Sequence, residues 1–157
     1  MEWALRKGRL RRYELFGRSV NTPEAVGRVK GNALSPPEAC RHCDAEVDLV
    51  NNAEFYGGRE YGWPLAYRCK GCGARVGTHP GTDIPLGTLA DSATVKARQA
   101  AHAAFDALWK GKSGWHRAQA YKALAKVMGM REAHISWMDE AECRRVITLC
   151  RCGALQG

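Results

Sequence analysis

Apolar positions in the C-terminal part of the chain recur at helical spacing. Tyr121, Leu124, Ala125 and Met128 fall at i, i+3, i+4 and i+7, which predicts a helix from about Trp115 to Met128 with Gly129 as its stop. A helix before it runs from a cap at Asp91 or Ser92 to about Trp109 and ends at Lys110-Gly111-Lys112-Ser113-Gly114. The third has the clearest start. Asp139 is its cap and Glu142 stands three residues on, as in a capping box, with Met138 and Cys143 placed as a hydrophobic staple. Its buried face is Cys143, Val146, Ile147 and Cys150.

Between residues 38 and 90 the pattern changes. Short runs at Ala45–Val50, Leu65–Arg68 and Ala74–Gly77 read as strands, with Gly57-Gly58 as a turn. Residues 78–89, THPGTDIPLGTL, hold two prolines and two glycines and read as a long loop. Upstream, residues 2–16 fit a short helix or an irregular strand. Asn21-Thr22-Pro23-Glu24 reads as a helix start with Thr22 as cap, and Ser35-Pro36-Pro37 marks a boundary. Three regions result: a basic N-terminal extension (1–36), a sheet with its Gly/Pro loop (37–90) and a helical region (91–157).

Composition bounds the class. The chain has 157 residues, 45% of them hydrophobic and 25% charged, as in ordinary globular proteins. No apolar run approaches the ~20 residues that span a bilayer. The N-terminus lacks the apolar stretch of a secretory signal, so a cytoplasmic protein without membrane partners is expected. The formal net charge is +8. Residues 1–30 carry eight basic and three acidic side chains, a net +5 that includes Arg6, Lys7, Arg9, Arg11 and Arg12. Such an arm fits a polyanion, or equally a solvated tail.

The seven cysteines gain meaning from their spacing. Cys40-Arg41-His42-Cys43 and Cys69-Lys70-Gly71-Cys72 are two C-x2-C pairs 25 residues apart. A C-x2-C turn brings two sulfurs to one metal, and two such turns complete the tetrahedron that zinc takes in structural sites. Gly71 and Gly73 suit the second turn, where one residue often needs positive φ. Arg41, Arg68 and Lys70 would offset the charge of a zinc tetrathiolate. His42 is read as solvent-facing rather than as a ligand. With four cysteine ligands no position stays open for substrate, so the single Zn2+ is structural. The expected fold is α+β: a small antiparallel four-cysteine zinc ribbon packed with a C-terminal three-helix region. Cys143 and Cys150 read as packing residues, and Cys150-x-Cys152 as a weak second-metal signal.

Three blocks carry a resemblance. They are Cys69–Thr82 with its continuation Pro85–Ala90, then Ala101–Trp109, then His134–Asp139 followed by Cys143-Arg144-Arg145-Val146. In order and spacing this chain resembles a phage and prophage family of zinc-finger-containing domain proteins over roughly its last 120 residues. The resemblance implies a zinc ribbon joined to helices and a phage or prophage origin. It implies no biochemical activity. The first 36 residues depart from the family, whose members begin near the first cysteine pair.

Other polar residues suggest chemistry. His79 and Asp83 in the loop, and His102 and Asp106 one helical turn apart, would form a hydrolytic or second-metal site if they converged. The favoured reading is that they order the loop and fix it against the helix. Trp63, near Arg59 and Arg68, is the aromatic best placed to stack on a base, though packing is the commoner role. The leading expectation is an accessory protein that binds nucleic acid through backbone phosphates. Its contacts would be the N-terminal arm with Arg41, Arg68, Lys70 and Arg75, helped by Arg59 and the helical cations. The alternative is a module that binds a host protein. A metal-dependent nuclease ranks third.

Overall fold

The computed structural model describes residues 10–31, 33–111 and 114–155. The fold is α+β, in two compact units that divide between Asp91 and Ser92.

The first unit begins with a hairpin of β1 (Tyr13–Leu15) and β2 (Arg18–Val20). Its two turn residues, Phe16 (φ 51°) and Gly17 (φ 69°), both adopt positive φ. That is the two-residue turn whose twist matches the strands it joins. The mixed pattern upstream of Asn21 thus resolves into a hairpin from Tyr13 onward. Helix α1 (Pro23–Arg28) follows, with Thr22 Oγ1 accepting from Ala25 N at 3.2 Å and Pro23 in the first turn.

The ribbon is a three-stranded antiparallel sheet of β3 (Val47–Asn51), β4 (Leu65–Cys69) and β5 (Arg75–Gly77), with β4 central. The register opposes Val47 to Cys69 and Tyr67 to Val76. Each strand falls on a run the sequence predicted. A 3-10 turn over Asn52–Phe55, capped by Asn51, starts the connection from β3 to β4.

Residues 78–90 do form a loop, but a tightly held one. Isolated bridges pair Thr78 with Pro85 and Arg75 with Ala90. Thr82 is fully buried, with its hydroxyl donating to His79 O at 2.9 Å.

The loop and the N-terminal segment share hydrogen bonds. Asn21 N donates to Gly81 O at 2.8 Å, and Asn21 Oδ1 accepts from Asp83 N at 3.1 Å. Asn21 is itself buried at φ 60°. Gly81 (φ 79°) packs on α1, where a Cβ would come within 2.6 Å of Ala25 Cβ.

The second unit holds three helices: α2 (Ser92–Trp109), α3 (Arg117–Met128) and α4 (Glu140–Arg151). Gly129 ends α3 in the left-handed conformation. The capping box forms at α4, with Glu142 N donating to Asp139 Oδ1 at 2.8 Å and Asp139 N to Glu142 Oε2 at 2.9 Å. Both staple residues, Met138 and Cys143, are buried.

The core of this unit gathers Phe105, Leu124, Ile135, Cys143, Val146 and Leu155, with Tyr121, Ile147 and Cys150 packed on its margin. Phe105 meets Tyr121 edge-on at 4.7 Å between ring centres. Cys152 lies exposed at the helix end, donating to Leu149 O. Among the described residues no helix is long and apolar enough to cross a membrane.

Candidate metal centre

The antiparallel pairing of β3 and β4 assembles the cysteines. The first C-x2-C turn precedes β3 and the second follows β4, so both lie at the same end of the sheet. The turns are built alike. Cys40 N donates to Ala45 O and Cys69 N to Ala74 O, while Asp44 N donates to Cys40 O and Gly73 N to Cys69 O. The residue after each second cysteine sits at positive φ: Asp44 at 65° and Gly73 at 75°. Gly73 therefore needs its conformational freedom, whereas Gly71 is required for space. A Cβ on Gly71 would meet Ala45 Cβ at 2.8 Å and Cys43 Sγ at 3.0 Å.

The four sulfurs fit one zinc ion. Cys40 and Cys72 Sγ are 3.6 Å apart, Cys43 and Cys69 Sγ 3.4 Å, and all four lie within 4.8 Å of one another. Four sulfurs at about 2.3 Å from a central zinc stand about 3.8 Å apart, whereas a disulfide would need about 2.05 Å. The first cysteine of each pair is buried and the second exposed.

Backbone N–H groups point at the sulfurs: His42 N at Cys40 Sγ (3.4 Å), Gly71 N and Cys72 N at Cys69 Sγ (3.2 and 3.4 Å). Burial alone would raise the Cys69 thiol, but these N–H donors and the neighbouring thiols bring it down to about 6. At Cys72 the Ala74 N–H favours the thiolate, yet burial and the three surrounding sulfurs outweigh it and push the thiol up to about 12. One thiolate makes its neighbours hold their protons. A central dication removes that conflict, because a coordinating thiol is deprotonated outright.

Zinc bound here supplies structural cross-linking, and four protein ligands leave it no open position for a substrate. His42 is not needed as a fifth donor. Contrary to expectation its ring does not face solvent: the side chain is only 21% exposed, with Nε2 3.1 Å from Leu89 O and Nδ1 3.8 Å from Asp91 Oδ2.

The profile of one family, described as a zinc-finger-containing domain, matches residues 36–152. The chain belongs to that zinc-finger-containing family. The matched region begins just before Cys40 and takes in the ribbon and all three helices of the second unit. No curated protein and no solved structure matches the chain.

The remaining residues singled out in the sequence have these places. Arg6, Lys7 and Arg9 lie outside the described residues. Arg11 is exposed, and Arg12 donates to Ser19 Oγ at 3.0 Å. Arg41 donates to Thr88 Oγ1 at 2.7 Å. Arg68 pairs with Glu54. Lys70 pairs with Glu46 at 2.7 Å and with Asp48 at 3.5 Å. Arg75 stacks over Phe55, 4.6 Å from the ring centre. Arg41, Arg68, Lys70 and Arg75 thus each have a partner on the ribbon itself, whereas Arg59 is exposed and shows no side-chain partner among the described residues.

For Arg68 and Lys70 the partners are acids: Glu54, Glu46 and Asp48. Residues 31–91 hold five basic and eight acidic residues, a net −3, whereas residues 92–157 hold eleven and five, a net +6. Outside the N-terminal arm, the positive charge belongs to the helical unit.

His79 and Asp83 belong to the first unit and His102 and Asp106 to the second, and each is engaged within its own. Asp83 is a clasp: Oδ2 accepts from Tyr13 OH at 2.9 Å and Oδ1 from Asn21 Nδ2 at 3.0 Å. Its carbonyl accepts from Tyr67 OH at 2.6 Å. Burial first, then the contact with Asp83, raises the Tyr13 phenol well above its ordinary value. His79 N donates to Ile84 O at 2.8 Å, inside the loop. His102 Nδ1 lies 2.9 Å from Arg98 O, and Asp106 pairs with Lys110 at 2.9 Å.

Trp63 is a packing residue, its Nε1 donating to Thr78 Oγ1 and Thr82 O at 2.9 and 2.8 Å. The exposed aromatics among the described residues are instead Phe16, in the hairpin turn, and the ribbon pair Tyr56 and Tyr61, edge to face at 4.9 Å. Neither tyrosine carried a periodic signal in the sequence.

Proposed function

We propose that this is a zinc-stabilised, phage-type accessory protein of the cytoplasm that binds nucleic acid mainly through backbone phosphates. The uneven placement of charge carries this reading. On the ribbon, Arg41, Arg68, Lys70 and Arg75 are each answered on their own surface. In the +6 helical unit, Lys122, Lys126 and Arg131 have no ion pair among the described residues. Lys122 and Lys126 stand at i, i+4 on α3, a like-charge spacing that costs a helix a few tenths of a kcal/mol. A polyanion would relieve that repulsion, and its released counterions would drive binding. The zinc ribbon then serves as a rigid body, and the N-terminal arm adds phosphate contacts.

Filter binding of DNA and RNA across a salt series tests the reading. Affinity should fall linearly in log–log form as salt rises, with a slope set by the number of phosphates contacted. Undetectable binding at low salt, for both polymers, would overturn it. The exposed Tyr56–Tyr61 pair on the ribbon favours a second reading, a module that binds a host protein. A host partner captured equally well after nuclease treatment would decide for that one.

A further inference from the structure

We propose that the cleft between α3 and residues 129–134 is a nucleotide pocket, which takes one base of a single strand on its floor and the adjoining phosphates at its rim. This rests on the nucleic-acid reading above and assigns it a place and a ligand form. The cleft encloses about 530 Å3, within the usual size of small-ligand sites.

Its chemistry is divided. Ala125, Met130 and Ala133 give it an apolar floor, while Lys122, Lys126 and Arg131 stand round it as cations. A simple anion would answer the cations and leave the floor wet. A ligand with a flat apolar body and an anionic backbone answers both. Arg117 supplies a further feature, its guanidinium lying over the Tyr121 ring at 4.9 Å. A guanidinium seated on a ring presents its other face for stacking a base. The one carboxylate in the lining, Glu132, lies 2.7 Å from His134 Nε2 and so has a cationic partner when that ring is protonated.

The cleft admits one base but not a duplex, whose bases are stacked inside. The preferred polymer is therefore single-stranded.

The test uses the full chain loaded with zinc, and the fluorescence anisotropy of a labelled twelve-residue oligothymidylate. Lys122→Gln with Lys126→Gln should weaken binding at least tenfold and make the salt slope shallower by about 1.4, the value for two phosphates of a single strand. Ala118→Trp obstructs the cleft from its exposed side without changing charge. It should weaken binding at least fivefold and leave the slope as it was. Circular dichroism and zinc content establish that each variant is folded, and Arg131→Gln, on the loop, replaces any that is not.

Two competitors separate the sources of the nucleotide. Displacement by micromolar ATP assigns the pocket to free nucleotides, and displacement only by unlabelled strand assigns it to a polymer. Folded variants that bind the strand as wild type does would overturn the pocket while leaving the nucleic-acid reading intact. Equal binding of duplex, or equal displacement by polyglutamate of matched charge, would overturn recognition of a base. Wild-type protein that binds no nucleic acid at low salt would overturn the parent reading itself.

Discussion

Gly71→Ala should damage the metal centre from within. Gly71 has room for a hydrogen but not a methyl, since the added Cβ would lie 2.8 Å from Ala45 Cβ and 3.0 Å from Cys43 Sγ. Both distances are below ordinary van der Waals contact, and neither neighbour is the tip of a flexible chain. Ala45 is the residue whose carbonyl closes the first turn, and Cys43 is a metal ligand. Inserting one methyl group into a packed site costs about 1–3 kcal/mol. Because zinc binding and folding of such a ribbon are one process, that cost lowers zinc affinity by roughly 5- to 150-fold. Competition with a chelating dye measures it.

Cobalt(II) substitution shows where the cost arises, since its visible spectrum follows the sulfur geometry. Gly71→Ala should shift that spectrum, and adding Ala45→Gly should restore it in part, since the contact with Cys43 Sγ stays. Gly73→Ala is the control. Its φ of 75° strains any alanine by about 1–2 kcal/mol, but nothing lies within 4 Å of the new Cβ, so the spectrum should stay in place. A Gly71→Ala protein with wild-type affinity and spectrum would refute the packing described for the two turns.

Other expectations concern the scaffold. Tyr13→Phe removes a hydrogen bond to the Asp83 carboxylate and should cost about 1–3 kcal/mol in urea unfolding. The Tyr13 phenol is raised in the folded state, so its contribution is complete below the ordinary tyrosine value near 10 and is lost as pH climbs above it. Melting temperatures from pH 8 to 11 should therefore fall more steeply for wild type than for Tyr13→Phe. Asp139→Ala breaks the capping box of α4 and should cost about 1 kcal/mol by the same unfolding assay. Phe105→Ala empties the centre of the helical core and should cost about 3–5 kcal/mol, loosening the packed Tyr121 ring.

What could be read from the sequence depended on how local each signal was. The C-x2-C pairs, the Asp139–Glu142 box and Gly129 are short-range devices, and each acts in the structure as its residue types require. The hairpin at Tyr13–Val20 was hidden because its first turn residue is Phe16, which occupies a left-handed conformation usually given to asparagine or glycine. Asp44 conceals the symmetry of the two metal turns in the same way, standing where the other turn has Gly73.

Long-range pairings left no periodic trace. Tyr13 and Asp83 meet across 70 positions, and Arg68 meets Glu54 across 14. A count of basic residues therefore located the net charge but not the acids that answer it. Lys122 and Lys126 differ from Lys70 only in what surrounds them, and that depends on the fold.

X-ray absorption at the zinc edge, on purified full-length protein, bears most directly on the metal centre. One zinc per chain with four sulfurs at about 2.3 Å is the expected result. Folded protein without zinc, or a shell containing nitrogen or oxygen, would contradict it.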